Sequence, residues 1–279
     1  NVKSLPDFLE NYSSQLDGVM IITPHSLHYS QAVACLKAGL DVFMEKPMVM
    51  NVAEAEALIK IRDETKRLVV VAFQGSLSHH VRRAVELIKA GDIGKISNIS
   101  GNIWQNWMDM GGWRQQPNVS GGGFLFDSGA HMLNTISDLA TEEFETVWAV
   151  ISNEGSPVDI TGMVMGRLVS GALVTINACG NTVPSCASDI RVYGTHGILR
   201  TGAWGERLHV LRQQPKDTKE LEFGRDAGWE SIQVPESKGV WQEFLDVKFG
   251  HIVNPSPPEL GLRMARLWDA IKQSSENSG

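Results

Sequence analysis

A lysine, an aspartate and a histidine are the residues of this chain best placed to move protons and stabilise charge. Lys46 stands in Glu45-Lys46-Pro47, directly after the apolar run Asp41–Met44. At the carboxyl end of a buried parallel strand, such a lysine projects over the edge where open α/β sheets bind ligands, and the proline restricts the turn that aims it. Asp127 and His131 lie four residues apart in DSGAHMLNT. On a helix that spacing places both side chains on one face, where the carboxylate can fix the tautomer of the imidazole and raise its proton affinity. Both features also have ordinary structural explanations. The lysine can be a surface residue of a strand-end turn, and the aspartate can simply favour a helix N-terminus beside a half-buried histidine.

Other residues offer less. Gly121-Gly122-Gly123 permits close backbone approach to a ligand or a tight lead into a helix, but it lacks the G-x-G-x-x-G spacing of a dinucleotide turn. Trp104, Trp107 and Trp113 are able to stack on a sugar ring, although tryptophans serve packing more often. His25 with His28, and His79 with His80, lack cysteine or carboxylate partners at metal-ligand spacing, so no metal is expected. Ser78, Ser120 and Ser128 lack the G-x-S-x-G context of a hydrolase nucleophile.

The elements around these residues change character along the chain. Gly18–Thr23, Asp41–Met44 and Leu68–Phe73 are apolar runs separated by helical stretches at 6–15, 30–38 and 51–66, the last opened by Asn51 as N-cap. That alternation predicts a parallel, doubly wound sheet. A helix over 81–90 follows. Beyond it, strands are predicted at 96–104, 147–152, 163–168, 172–178, 190–193 and 208–212 without a helix between each pair, which points to a mostly antiparallel sheet. Helices are predicted at 127–139, 241–249 and 260–273, and the tail 274–279 is expected to fray. The fold class is therefore α/β: a partial Rossmann-type parallel sheet plus an α+β unit with a large, open, mostly antiparallel sheet.

The chain has 279 residues, 42% of them hydrophobic, enough for one or two cores. Its net charge of −7 and its lack of a basic stretch argue against nucleic acid as partner. No apolar run is long enough for a membrane span and no leader pattern opens the chain. Three cysteines (Cys35, Cys179 and Cys186) without a C-x-x-C favour a reducing, cytoplasmic compartment.

Taken together these residues resemble the Gfo/Idh/MocA oxidoreductases (the glucose-fructose oxidoreductase and inositol dehydrogenase family). The resemblance rests on DGVMIITPHSLHYSQAVACLKAGLDVFMEKPMVMNVAEAEALI (17–59), on Trp113-Arg114 and on SGGGFLFDSGAHMLN (120–134). It implies residues 1–73 as the remainder of an NAD(P)-binding Rossmann domain, 74–258 as a substrate and oligomerisation domain, and 259–279 as a C-terminal helix packing back. It also implies NAD or NADP as cofactor, and reversible oxidation of an alcohol to a ketone on a sugar, inositol or related polyol. By the same resemblance Lys46, Asp127 and His131 are catalytic: His131 or Lys46 takes the hydroxyl proton, and Asp127 orients His131. Thr23, Pro24, His25 and His28 are expected on the adenosine and pyrophosphate side of the cofactor. Glu45, Lys46, Trp113 and Arg114 are expected near the nicotinamide, with Lys46, Trp113, Asp127 and His131 contacting substrate.

The family's opening strand, its glycine-rich turn and its ribose-reading residue would precede Asn1, so the choice between NAD and NADP stays open. Gln74-Gly75-Ser76-Leu77 departs from the family where an arginine is common. A homodimer or homotetramer through the second sheet is expected. Two alternatives share the fold: a glycosidase that uses NAD as an internal redox relay, and a sugar-binding or scaffold protein without catalysis.

Overall fold

Three short apolar runs form a parallel sheet in the order β1 (Gly18–Ile21), β2 (Asp41–Met44), β3 (Val69–Val71). Residues 4–212 and 228–277 are described by the computed structural model. β2 and β3 are buried along their whole length because both faces of the sheet are covered. Val42, Met44, Val69 and Val71 join the main core, while Phe43 and Val70 face the other way onto Phe244. An alternating strand buried on both faces reads as a continuous hydrophobic run, as seen here.

The helices of this half are α1 (Leu5–Tyr12), α2 (His25–Lys37) and α3 (Val52–Thr65). Asn51 caps α3 as expected, its side chain accepting from the Glu54 amide at 2.9 Å. α2 begins earlier than the sequence suggests: Pro24 is its N-cap, so His25 and His28 lie in its first turn rather than in an open loop.

A short helix, α4 (Gln74–Leu77), and α5 (His79–Lys89) lead into the second sheet. Its strands are β4 (Ile96–Gln105), β5 (Phe144–Ser152), β6 (Thr161–Leu168), β7 (Leu173–Cys179), β8 (Cys186–Gly194), β9 (Gly197–Thr201), β10 (Leu208–Arg212) and β11 (Glu230–Ser231). Their order is β11-β10-β9-β8-β4-β7-β6-β5. Every pairing is antiparallel except β4 with β7. One face packs against α7 (Gly129–Ala140), where Met132 and Ile136 fill the space over Gly101 that a side chain would occupy. The opposite face leaves Trp148, Val150, Met163, Met165 and Leu173 exposed.

α6 (Pro117–Ser120) and α8 (Val240–Lys248) are short, and α9 (Pro258–Glu276) closes the chain against α3 and β5. The end of α9 is not frayed as expected. The hydroxyls of Ser274 and Ser275 accept from the Ala149 and Ile151 amides at 2.9 and 3.2 Å, capping the free edge of β5. Residues 278 and 279 lie outside the described residues. Among the described residues no helix is long and apolar enough to cross a membrane.

Candidate active site

Lys46 reaches from the carboxyl end of β2 to the turn that precedes α7. Its ammonium donates to Asp127 Oδ1 at 2.7 Å and to the Asp127 carbonyl at 3.0 Å. The two side chains are 12% and 6% exposed. An ammonium has three N–H donors, so this pair leaves one for a ligand. The second carboxylate oxygen of Asp127 accepts from Trp107 Nε1 and Arg114 Nε, each at 3.0 Å.

Burial opposes ionisation of Asp127, yet the charges of Lys46 and His25 and the hydrogen bonds from Lys46 and Trp107 outweigh it. They hold the carboxyl well below the usual range. Asp127 thus lies between two cations, Lys46 and Arg114, and the Lys46 ammonium carries the sign needed to stabilise a developing alkoxide.

The expected Asp127–His131 pair does not form. Asp127 lies in the turn before α7, and its oxygens are spent on Lys46, Trp107 and Arg114, because a buried carboxylate takes the cations first. His131 sits in the first turn of α7 with Nδ1 buried and without a hydrogen-bond partner. Burial, reinforced by the charge of Lys46 and opposed by that of Asp127, lowers its pKa well below the ordinary histidine value. Its imidazole is therefore neutral around pH 7 and near enough to both charges to feel them.

The two histidines of α2 serve as internal braces. His25 Nδ1 donates to the Ser120 carbonyl at 2.7 Å, and its Nε2 is 3.7 Å from Asp127 Oδ1. Burial lowers its pKa to about 4 despite the carboxylate beside it. His28 lies between the ends of β1 and β2, with Nδ1 2.9 Å from the Pro47 carbonyl and Nε2 2.8 Å from the Thr23 carbonyl; burial lowers its pKa as well, and the neutral ring donates to one of the two. Both rings are buried and turned onto backbone carbonyls at the start of α2. Thr23 and Pro24 remain at the open strand end, with the Thr23 hydroxyl donating to Gln31. Glu45 is half-buried beside Lys46.

Trp107 is fully buried and holds Asp127. Trp113 meets His25 edge-on at 4.7 Å and carries the Arg114 guanidinium at 4.6 Å from its ring centre. Trp104 is half-buried in β4. The triple glycine is packing rather than a ligand cradle: a Cβ on Gly122 would strike Phe126 and Trp268, and one on Gly123 would lie 1.9 Å from the Asp159 carbonyl oxygen.

Comparison with known proteins gives the family of the chain. A scyllo-inositol 2-dehydrogenase (NADP(+)) of Bacillus subtilis is 30% identical over 276 residues, covering 92% of this chain and 76% of the relative. The chain belongs to the Gfo/Idh/MocA oxidoreductase family. Residues 1–73 match the family profile described as oxidoreductase family, NAD-binding Rossmann fold, and residues 81–200 match the GFO/IDH/MocA C-terminal domain. The levoglucosan dehydrogenase of Pseudarthrobacter phenanthrenivorans is 25% identical over 261 residues, a stretch spanning 64% of that relative, short of two thirds of its length. A solved structure of levoglucosan dehydrogenase in complex with NADH and levoglucosan superposes with a TM-score of 0.82 at 23% identity, covering 99% of this chain and 82% of that one.

Within this Gfo/Idh/MocA frame, sequence reasoning missed the residues that position Asp127. Asp159 is buried and accepts from the Gly123 and Leu125 amides, fixing the backbone that leads to Asp127. Burial raises its pKa against those two hydrogen bonds. Its signal was an acidic residue inside the apolar stretch Val158-Asp159-Ile160, a pattern that demands backbone donors. For Trp107 the signal was weaker: a buried indole needs an acceptor for its N–H.

Proposed function

We propose that this chain acts in an NAD(P)-dependent dehydrogenase that interconverts an alcohol and a ketone on a sugar, inositol or related polyol. The observation that supports it most is the Lys46–Asp127 ion pair standing beside a neutral, unpartnered His131. His131 accepts the substrate hydroxyl proton, since a neutral imidazole can do so and an ammonium already committed to Asp127 cannot. The remaining Lys46 N–H donates to the substrate oxygen and stabilises its developing negative charge. Asp127 holds Lys46 in place, and Arg114 and Trp107 hold Asp127.

NAD(P), when bound, supplies the hydride acceptor. The residues present fit it at the carboxyl ends of β1 and β2. Thr23 and Pro24 flank the start of α2, which has no side-chain cap on its first amides and so suits an anionic group. Glu45 and Lys46 border the reacting end.

The test is turnover of the full-length gene product across a panel of pyranoses, inositols and open-chain polyols with NAD and with NADP. Reduced nicotinamide should accumulate with at least one of them; silence across the whole panel with both cofactors discards the redox reading. For assembly, the exposed apolar face of the second sheet fits a homodimer or homotetramer contact. Met163→Glu, placing a charge at the middle of that face, should shift the mass seen by light scattering to the monomer, and an unchanged mass would place the contact elsewhere.

A further inference from the structure

A tryptophan that none of the preceding roles uses stands on the far side of His131. Trp204 lies in the turn between β9 and β10, half-buried, with its ring centre 5.9 Å from that of His131 at an interplanar angle of 50°. The turn is pinned at both ends. The Ala203 amide donates to Ser188 Oγ at 2.8 Å, and the Ala203 carbonyl accepts from Thr135 Oγ1 at 2.7 Å. Thr135 is one helical turn beyond His131 on α7, so the same face of one helix sets both the histidine and the indole. On the other side, the Gly205 carbonyl accepts from Ser78 Oγ at 2.8 Å and faces His80 Nδ1 at 2.9 Å. Gly205 has φ +70, and a Cβ there would strike Ser78, so only glycine fits this crossing without rearrangement.

The indole also lines a cavity of about 530 Å³, whose walls include Gln74, His80, Trp204, Glu206 and Gln233. These walls supply amide donors and acceptors, a carboxylate acceptor, and the Nε2 of a His80 whose Nδ1 already donates to Gly205. An aromatic surface beside the proton acceptor, lining a chamber that mixes apolar walls (Leu77, Val234, Pro235, Val240) with polar groups, has the form of a saccharide subsite: the ring stacks by its C–H face, and its distal hydroxyls find hydrogen bonds.

We propose that Trp204 is a specificity-determining residue that selects cyclic polyols over open-chain ones, by stacking against the face of the ring that carries C–H rather than O–H bonds. The proposal rests on the redox reading of His131 above. An open-chain polyol offers no continuous apolar face, and a ring with an axial hydroxyl on the stacked side desolvates that hydroxyl against the indole without a partner. Rings with equatorial hydroxyls are favoured for the same reason. Gln74 is a neutral amide and Glu206 a carboxylate, which makes the chamber suited to neutral rather than anionic rings.

The experiment compares full-length wild type with Trp204→Phe and Trp204→Ala, using myo-inositol and D-glucose as ring probes and glycerol and sorbitol as open-chain probes. Trp204→Ala should raise KM for the rings about tenfold more than for the open-chain probes, with kcat changing much less, and Trp204→Phe should recover most of the loss. Saturation-transfer NMR in the absence of turnover should show transfer from wild type to the ring C–H protons that is reduced in Trp204→Ala, while NADH still binds. Equal KM shifts for rings and open chains, or none, overturn the proposal and leave the redox reading intact. Ring contact that depends on Trp204 without turnover of any polyol keeps the subsite and removes the redox reading. Absence of both overturns the two together.

Discussion

Replacing Lys46 by methionine is expected to slow alcohol oxidation by about two to four orders of magnitude and to cost about 3–5 kcal/mol of folding stability. The rate loss follows from removing the Lys46 N–H left for the substrate oxygen. The stability loss has a separate origin. Lys46 is the first partner of a carboxylate whose side chain is 6% exposed, and a buried charge stripped of its partner carries its desolvation cost uncompensated. The double variant Lys46→Met/Asp127→Asn separates the two effects, because it removes the orphaned charge as well. Its thermal unfolding should return most of the way towards wild type while its rate stays low.

Acidity gives a second check on the same pair. The folded-state pKa of Asp127 lies below its unfolded value of about 3.9, so the pair contributes stability above that pH and loses it as pH falls further. In Lys46→Met the carboxyl loses its largest opposing charge and its pKa rises, so the stability gap between variant and wild type should narrow in acid. A Lys46→Met protein as stable and as active as wild type would remove the ion pair from the mechanism.

Much of the parallel half was legible because its physics is local. β2 and β3 are buried on both faces, so their sequences are unbroken apolar runs, and Asn51 announces the start of α3 by a side-chain cap that acts within three residues. The start of α2 was hidden because Pro24 caps it without a side-chain hydrogen bond, and PHSLHYS reads as turn chemistry. β9 was hidden as well. GILRT has a single adjacent apolar pair, and its strand character comes from hairpin pairing with β8 across Thr195-His196. The parallel pairing of β4 with β7 joins residues more than seventy apart, and no local pattern records it.

The site divides in the same way. Lys46 was visible from its strand-end position, and His131 from its place on a helix near an acid. The partner of Asp127 was not, since four residues along a chain are closer than eighty-one, and only the fold brings Lys46 nearer than His131. The tryptophans show the limit most clearly. Three were considered for sugar stacking, and two of them are committed to Asp127 and His25. Trp204 stood alone in sequence, seventy-three residues from the histidine it borders, held there by Thr135, Ser188 and Ser78 from three separate elements.

His131→Phe is expected to lose about two to four orders of magnitude in oxidation rate with no loss of folding stability, the opposite pairing of effects from Lys46→Met. Nδ1 of His131 is buried without a partner, and a buried polar atom in that condition carries a desolvation cost of about 1–3 kcal/mol that phenylalanine does not. A ring of similar size also keeps the contact with Trp204. The folded-state pKa of His131 lies below the unfolded value of about 6.5, so acidification protonates the unfolded chain first and erodes wild-type stability below that pH. The variant lacks this proton uptake, and its stability advantage should widen as pH falls through that range. Activity follows from the same displacement. A base that stays neutral below pH 6.5 keeps kcat/KM for oxidation level across neutral pH, with an acid limb only where His131 finally takes a proton. If His131→Phe retains that acid limb, or retains the rate, the proton leaves the substrate by another route, and Lys46 becomes the base despite its ion pair.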